Sequence, residues 1–309
     1  MKTINFMGQM KLALAFSGLM LLISIASLAT RQLNWGLDFT GGTLVEVNYS
    51  TSANLDSIRN TLETQGYAGA IVAGFGSDRD VLIRLPKGYS DKDGAALLAI
   101  LQTAFSAESA QGQVELRRTE FVGPQVGDEL REQGGLAMLL ALGLVMLYVA
   151  FRFQFKFAVG GVVALVHDVI ITLGFFSITG MEFNLTVLAA VMAVIGYSIN
   201  DTIVIFDRIR ENFRQLRRAD PAEIMNISIT ETLERTLATA GTTLLVVVAL
   251  ALFGGEMLFG FAVALIVGIV AGTYSSVYMA AATALMLGVT KEDLMIPVKE
   301  GAEQDNLTP

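Results

Sequence analysis

The sequence has no cysteine, one histidine and one tryptophan among its 309 residues. The missing cysteine excludes disulfides, thiol catalysis and cysteine-ligated zinc together, and leaves the redox compartment undetermined. A lone histidine lacks the further ligands that a zinc site needs. Charge is scarce as well: Asp, Glu, Lys and Arg make up 16% of the chain, against about 25% in soluble domains, while 53% is hydrophobic. The net charge of -8 lacks the basic footprint that phosphate binding requires, so no nucleic acid is expected as a partner. There is no cofactor motif, nucleophile–base set or metal cluster in the sequence, so neither an enzyme nor a bound cofactor is expected.

What the chain has in quantity is long apolar runs, the mark of helices that cross a bilayer. Six are read: Leu12 to Ala29, Gly134 to Phe151, Phe157 to Thr179, Leu185 to Phe206, Leu233 to Phe253 and Leu258 to Leu287. The first follows Lys2 and Lys11 and ends near a passable cleavage site, Ser27-Leu28-Ala29, but exceeds the roughly 7–15 residues of a signal core and is expected to be a retained anchor. Positive charge sits in alternate loops: Arg152 and Lys156, then Arg208, Arg210, Arg214, Arg217 and Arg218, then Lys291 and Lys299. The turns carrying Glu182 and Glu256 have none, which places both termini in the cytoplasm and those turns outside. The expected organisation is residues 1–30 as N-terminus and first span, 31–133 as an extracytoplasmic domain, 134–288 as spans two to six, and 289–309 as a cytoplasmic tail.

The segment between spans one and two has its own rhythm. Thr43 to Tyr49 alternates like a strand, and Asn54 to Gly66 reads as a capped amphipathic helix ended by glycine. Ala70 to Phe75 and Asp80 to Leu85 form a predicted strand pair with Gly76 to Arg79 as the turn. Asp91 to Glu108 is a second helix and Gln113 to Val122 a last strand. The order βαββαβ predicts an α+β ferredoxin-like domain, a sheet with helices on one face. One helix, one outside domain and five further helices is the half-molecule layout of RND transporters, an analogy of fold alone.

Ionisable groups within the spans are costly and so are functional candidates. His167 and Asp168 lie near the centre of span three, Asp201 in the inner half of span four beside Asn200, and Arg235 inside the start of span five. Tyr197 and Ser198 share the helix face of Asp201, as Thr239 and Thr242 share that of Arg235. Spans four and five run antiparallel, so Asp201 and Arg235 can meet at similar depth. Protonating the acid of such a pair frees the arginine, which would couple proton binding to helix movement. The plainer readings are a static pair fixing helix register, or an Arg235 that snorkels to the surface. Adjacent helix positions point about 100° apart, so His167 and Asp168 are not expected to face one partner. His167 is either a proton carrier or a packing residue. Gly260, Ala264, Gly268, Gly272 and Ser276 form a small-residue stripe for close helix approach, within the chain or against a partner.

Leaving span one, the chain reads WGLDFTGGT from Trp35 to Thr43. A phosphate loop would need a strand before the glycines and a lysine and helix after them, so nucleotide binding is rejected. Gly36, Gly41 and Gly42 instead allow a rigid corner into the first strand, with Asp38 expected to bond backbone amides inside it. This corner closely resembles the signature of the SecF family of bacterial protein-export subunits. The stretches His167 to Thr172, Gly196 to Asn212 and Thr232 to Thr243 resemble that family too, so the likeness covers nearly the whole chain.

The resemblance implies a multi-pass protein of the bacterial inner membrane, in the RND superfamily. It would form a heterodimer with SecD on the SecYEG channel, often with YajC and YidC. Protons would be the coupling ion, and the proton-motive force would complete the translocation of preproteins inserted by the SecA ATPase. The family's proton-relay acid matches Asp201 and its partners match Arg235 and Thr239, with a further acid from SecD. The other readings weighed are a scaffold subunit without proton coupling, and half of an RND exporter of small molecules or lipids.

Overall fold

The computed structural model describes residues 3–75, 77–85, 96–97, 99–101, 103, 114–216 and 219–290. The first helix, α1 (Met10–Thr30), leads into a short strand β1 (Asn34–Trp35) and a one-turn helix α2 (Leu37–Thr40). There follow β2 (Gly42–Tyr49), α3 (Leu55–Thr64), β3 (Ile71–Phe75), β4 (Ser77–Leu85) and β5 (Val114–Val122). Four long helices come next, α4 (Pro124–Arg152), α5 (Phe155–Thr179), α6 (Leu185–Gln215) and α7 (Pro221–Phe253), with a two-residue strand β6 (Glu182–Phe183) between α5 and α6. The last span is α8 (Glu256–Ser275), a π-helical turn Ser276–Ala280 and α9 (Ala281–Met286).

Among the described residues, six helices are long and apolar enough to cross a membrane, as expected. Several outrun the apolar spans: α6 continues past Phe206 to Gln215, and α7 begins at Pro221 rather than Leu233. Hydropathy marks only the part of a helix in lipid, whereas its ends follow capping. Proline opens α7, and the Asp220 carboxylate accepts from the Ala222 amide at 3.1 Å, a start signal well outside the apolar run.

The sheet has the order β3-β4-β2-β5, all neighbours antiparallel. That is the ferredoxin-like arrangement, in which the last strand returns beside the first. Alternation drives it: Val45, Val47, Tyr49, Val81, Ile83 and Leu85 point to one face, where Ile58 and Leu62 of α3 and the helical residues Leu97 and Leu101 cover them. The Asn54 side chain caps α3, accepting from the amides of Asp56 and Ser57 at 3.1 Å each. Of the second predicted helix, residues 96–97, 99–101 and 103 are helical and the remainder lies outside the described residues, as do Gly76 of the predicted turn, Arg217, Arg218, Lys291 and Lys299.

The small-residue stripe of span six packs within the chain, against α6. A Cβ added at Gly268 would lie 2.2 Å from a Val194 methyl, and one at Gly260 would lie 3.0 Å from Val187. A glycine in α5, Gly174, likewise lets Ser24 of α1 come close, with a Cβ there meeting the serine at 2.2 Å. Such contacts replace the hydrophobic drive that is missing between helices in lipid. Because Val194 is stiff about χ1, Gly268→Ala is expected to destabilise the solubilised protein by about 1–3 kcal/mol. Gly143→Ala, where an added Cβ meets nothing within 4 Å, should leave the melting temperature unchanged or slightly raised.

Candidate functional site

Two sites come together around α6, one at its first turn and one about 24 Å down its axis at Asp201. At the first turn, the amides of Leu185 and Val187 would lack helical partners. Asn184 caps the Val187 amide at 3.0 Å. The Leu185 amide is held by Asp38 Oδ2 at 2.9 Å, from 147 residues upstream. Asp38 was expected to bond amides inside its own corner. It reaches out to α6 because α2 turns its side chain toward the α5–α6 connection, and the corner is closed instead by Thr40 Oγ1 donating to the Gly36 carbonyl at 3.0 Å.

The corner is docked as a unit. β1 pairs in parallel with β6, Asn34 opposite Glu182 and Trp35 opposite Phe183, and the Gly36 amide donates to the Phe183 carbonyl at 2.8 Å. Trp35, Phe39 and Phe183 form an aromatic cluster with centroids 5.4 to 6.0 Å apart. Arg84 of β4 forms an ion pair with Glu182, tying the sheet to the same turn. Gly42, at φ 130°, sits so close to β4 that a Cβ would fall 2.4 Å from the Leu85 carbonyl oxygen. Neither the parallel strand pair nor the long-range cap was legible in sequence, since two-residue strands and contacts 147 residues apart leave no periodicity.

Deeper in the bundle, α6 and α7 are antiparallel. Asn212 Nδ2 donates to Ser228 Oγ at 3.0 Å and to Glu231 at 2.8 Å, and Arg208 Nε donates to Glu231 at 2.7 Å. That register brings Asp201 level with the segment of α7 that holds Arg235 to Thr239. Asp201 is 3% exposed and lies within Coulombic reach of Arg235. No ion pair within 4 Å joins Asp201 and Arg235, so the static pair is not formed. Among the described residues, Asp201 Oδ2, Tyr197 Oη, Thr236 Oγ1 and Thr273 Oγ1 are buried without a hydrogen-bond partner. Arg235, Asn200 and Thr242 are exposed on the surface of the helices. Thr239 does not reach Asp201; its hydroxyl bonds back to the carbonyls of Arg235 and Thr236, at 3.1 and 3.0 Å.

The second buried acid behaves differently. Asp168 is fully buried, with Oδ1 2.9 Å from His167 Nδ1 and Oδ2 accepting from Ser198 Oγ at 2.5 Å and Ser275 Oγ at 2.8 Å. His167 and Asp168 thus bond one another, while pointing to different neighbours: Asp168 to α6 and α8, His167 to the Tyr274 ring, 6.3 Å away. Tyr274 Oη in turn donates to the Ala13 carbonyl of α1 at 2.8 Å. Ser275, Tyr274 and Thr273 were missed in sequence, although the polar run GTYSS from Gly272 to Ser276 interrupts an otherwise apolar span.

The cap at the top of α6 yields a direct test. Asp38→Ala should cost about 1 kcal/mol and raise the hydrogen-exchange rate of the Leu185 amide, while Asp38→Asn, which keeps an acceptor, should lose less.

Comparison with known proteins gives a consistent result. The family described as protein export membrane protein SecD/SecF, C-terminal, matches residues 102–290, and the SecD/SecF GG motif matches residues 26–53. The chain is 54% identical over 308 residues to the protein translocase subunit SecF of Vibrio alginolyticus, covering 99% of this chain and 97% of that protein. It is 44% identical over 310 residues to the SecF of Escherichia coli O157:H7, covering 100% and 96%. A crystal structure of SecDF from Thermus thermophilus, described as a translocon-associated membrane protein, superposes with a TM-score of 0.83 at 38% identity over 92% of this chain. The chain spans 38% of the length of that SecDF. With both motifs and the whole helical frame accounted for, the chain belongs to the SecF family of protein translocase subunits.

Proposed function

We propose that this chain is the proton-coupled auxiliary subunit of the Sec translocase. With SecD it would use the proton-motive force to finish moving preproteins across the inner membrane, after SecA-driven insertion into SecYEG. The observation that carries the reading is the state of Asp201. Its carboxylate is removed from the surface, one oxygen has no partner among the described residues, and Arg235 is near but unpaired with it. A short acid at that depth cannot reach water by extending, and intramembrane acids mark ion paths when they are not locked. Asp201 is therefore the relay, Arg235 the charge that responds to its protonation, and the Thr239 turn part of the same segment of α7.

Asn200, Arg235 and Thr242 are each exposed at membrane depth, where lipid solvates polar groups poorly. A partner subunit that covers these residues and brings a further acid would shield them from lipid, and SecD is the partner proposed. YajC, YidC and the SecYEG channel complete the proposed assembly. On the distribution of Lys and Arg, both termini are cytoplasmic, residues 31–133 form the periplasmic domain and residues 289–309 a cytoplasmic tail. The docked corner then links that domain to the helix that carries the relay.

The test is preprotein export with Asp201→Asn, at equal membrane level and equal co-purification of SecD. The substitution removes a titratable proton and keeps the shape. Late, proton-dependent export should fall to the level of a strain without the chain. Unchanged export would instead make the chain a scaffold subunit.

A further inference from the structure

The proposed relay uses Asp201 and leaves Asp168 without a task, although it is the more deeply buried acid. Asp168 gathers groups from three helices: His167 on its own α5, Ser198 on α6 and Ser275 on α8. We propose that Asp168 and Ser198 are positioning residues, the carboxylate fixing through the serine hydroxyl the azimuth of the α6 turn that carries Asp201. The inference rests on the reading of Asp201 as the working acid only for its consequence in transport. The geometry stands apart from it.

Ser198 and Thr202 flank Asp201 in sequence. At about 100° per residue they lie within roughly 40° of each other, with Asp201 about 60° round from Ser198 on the side away from Thr202. Both flanking residues are tied. Ser198 Oγ donates to Asp168 at 2.5 Å, and Thr202 Oγ1 and Ser276 Oγ are 2.8 Å apart. Ser276 Oγ also donates to the Ser198 carbonyl at 3.4 Å. A Cβ at Gly272 would lie 3.0 Å from Ser198 Cβ and 3.5 Å from Asp168 Oδ2, so α8 presses the serine against the acid. With one flank of the turn held to α5 and α8, Asp201 is left on the other side of α6. A hydroxyl bonded to a carboxylate suits this work, because charge-assisted bonds are short and directional. The π-helical turn Ser276–Ala280 begins at the second tie, a local irregularity that π-bulges often show at functional sites.

Asp168 also accepts from Ser275, and that bond supplies the control. Ser198→Ala and Ser275→Ala each remove one hydroxyl from the same carboxylate, but only the first removes a tie on the Asp201 turn. The chain has no native cysteine, so Asp201→Cys reports its own accessibility. The rate of its reaction with a small membrane-permeant methanethiosulfonate is measured in the full chain, in membrane vesicles, with each serine variant. Ser198→Ala should change that rate about fivefold or more, while Ser275→Ala stays within about twofold of the parent. Equal changes in both variants would mean general loosening of the bundle and overturn the proposal, and so would no change in Ser198→Ala. Neither result depends on export, so it is read separately from the Asp201→Asn test.

Discussion

The amide that opens α6 is held by the Asp38 carboxylate, and through that bond the extramembrane part of the chain acquires a fixed relation to its membrane helices. Without it, a glycine-containing corner would be a hinge. With it, the corner, the β1–β6 strand pair and the aromatic cluster around Trp35 share one anchorage on the α5–α6 turn. The sheet joins the same anchorage through Arg84 and Glu182. No single bond here contributes more than about 1–3 kcal/mol, but their convergence on one turn removes the freedom that a flexible linker would have.

Further down, α6 separates two kinds of buried polarity. Asp168 is saturated by protein groups, the arrangement that lets an acid remain in a low-dielectric interior as part of the packing. Asp201 keeps one oxygen without a partner among the described residues and has a cation nearby that does not engage it. The two acids are 33 residues apart in sequence, yet their surroundings differ: Asp168 is bonded on both oxygens and Asp201 is not. The small residues of α8 make this division possible, since Gly268 and Gly272 bring the helices close enough for serine hydroxyls to reach the inner acid.

Much of the frame was legible in sequence. The six apolar runs are helices, and the alternation in Thr43 to Tyr49 and Asp80 to Leu85 is a ferredoxin-like sheet core. Asp201 also stood out, because an acid in an apolar run is conspicuous. What sequence could not supply was pairing. The i, i+3 spacing of Ser198 and Asp201 suggested one shared site, whereas the serine hydroxyl belongs to Asp168 on another helix. Arg235 and Asp201 suggested an ion pair, but a register matched in depth does not fix azimuth, and no pair is formed within 4 Å. Asp38 was expected to act locally because its distant donor partner, the Leu185 amide, has no side-chain signature.

If the corner and the start of α6 move as one body, a reversible tether between them leaves transport unharmed. Asn34 and Glu182 are paired across β1 and β6, and the absence of native cysteine allows Asn34→Cys and Glu182→Cys to be joined by oxidation alone. Export would be measured in vesicles carrying this double variant, before and after oxidation, and again after reduction. If the two segments keep their relation throughout the working cycle, the disulfide leaves the rate as it was in the reduced variant. A rate that stops on oxidation and recovers on reduction would mean that the corner must part from α6 for the protein to work, so that the two are not one body.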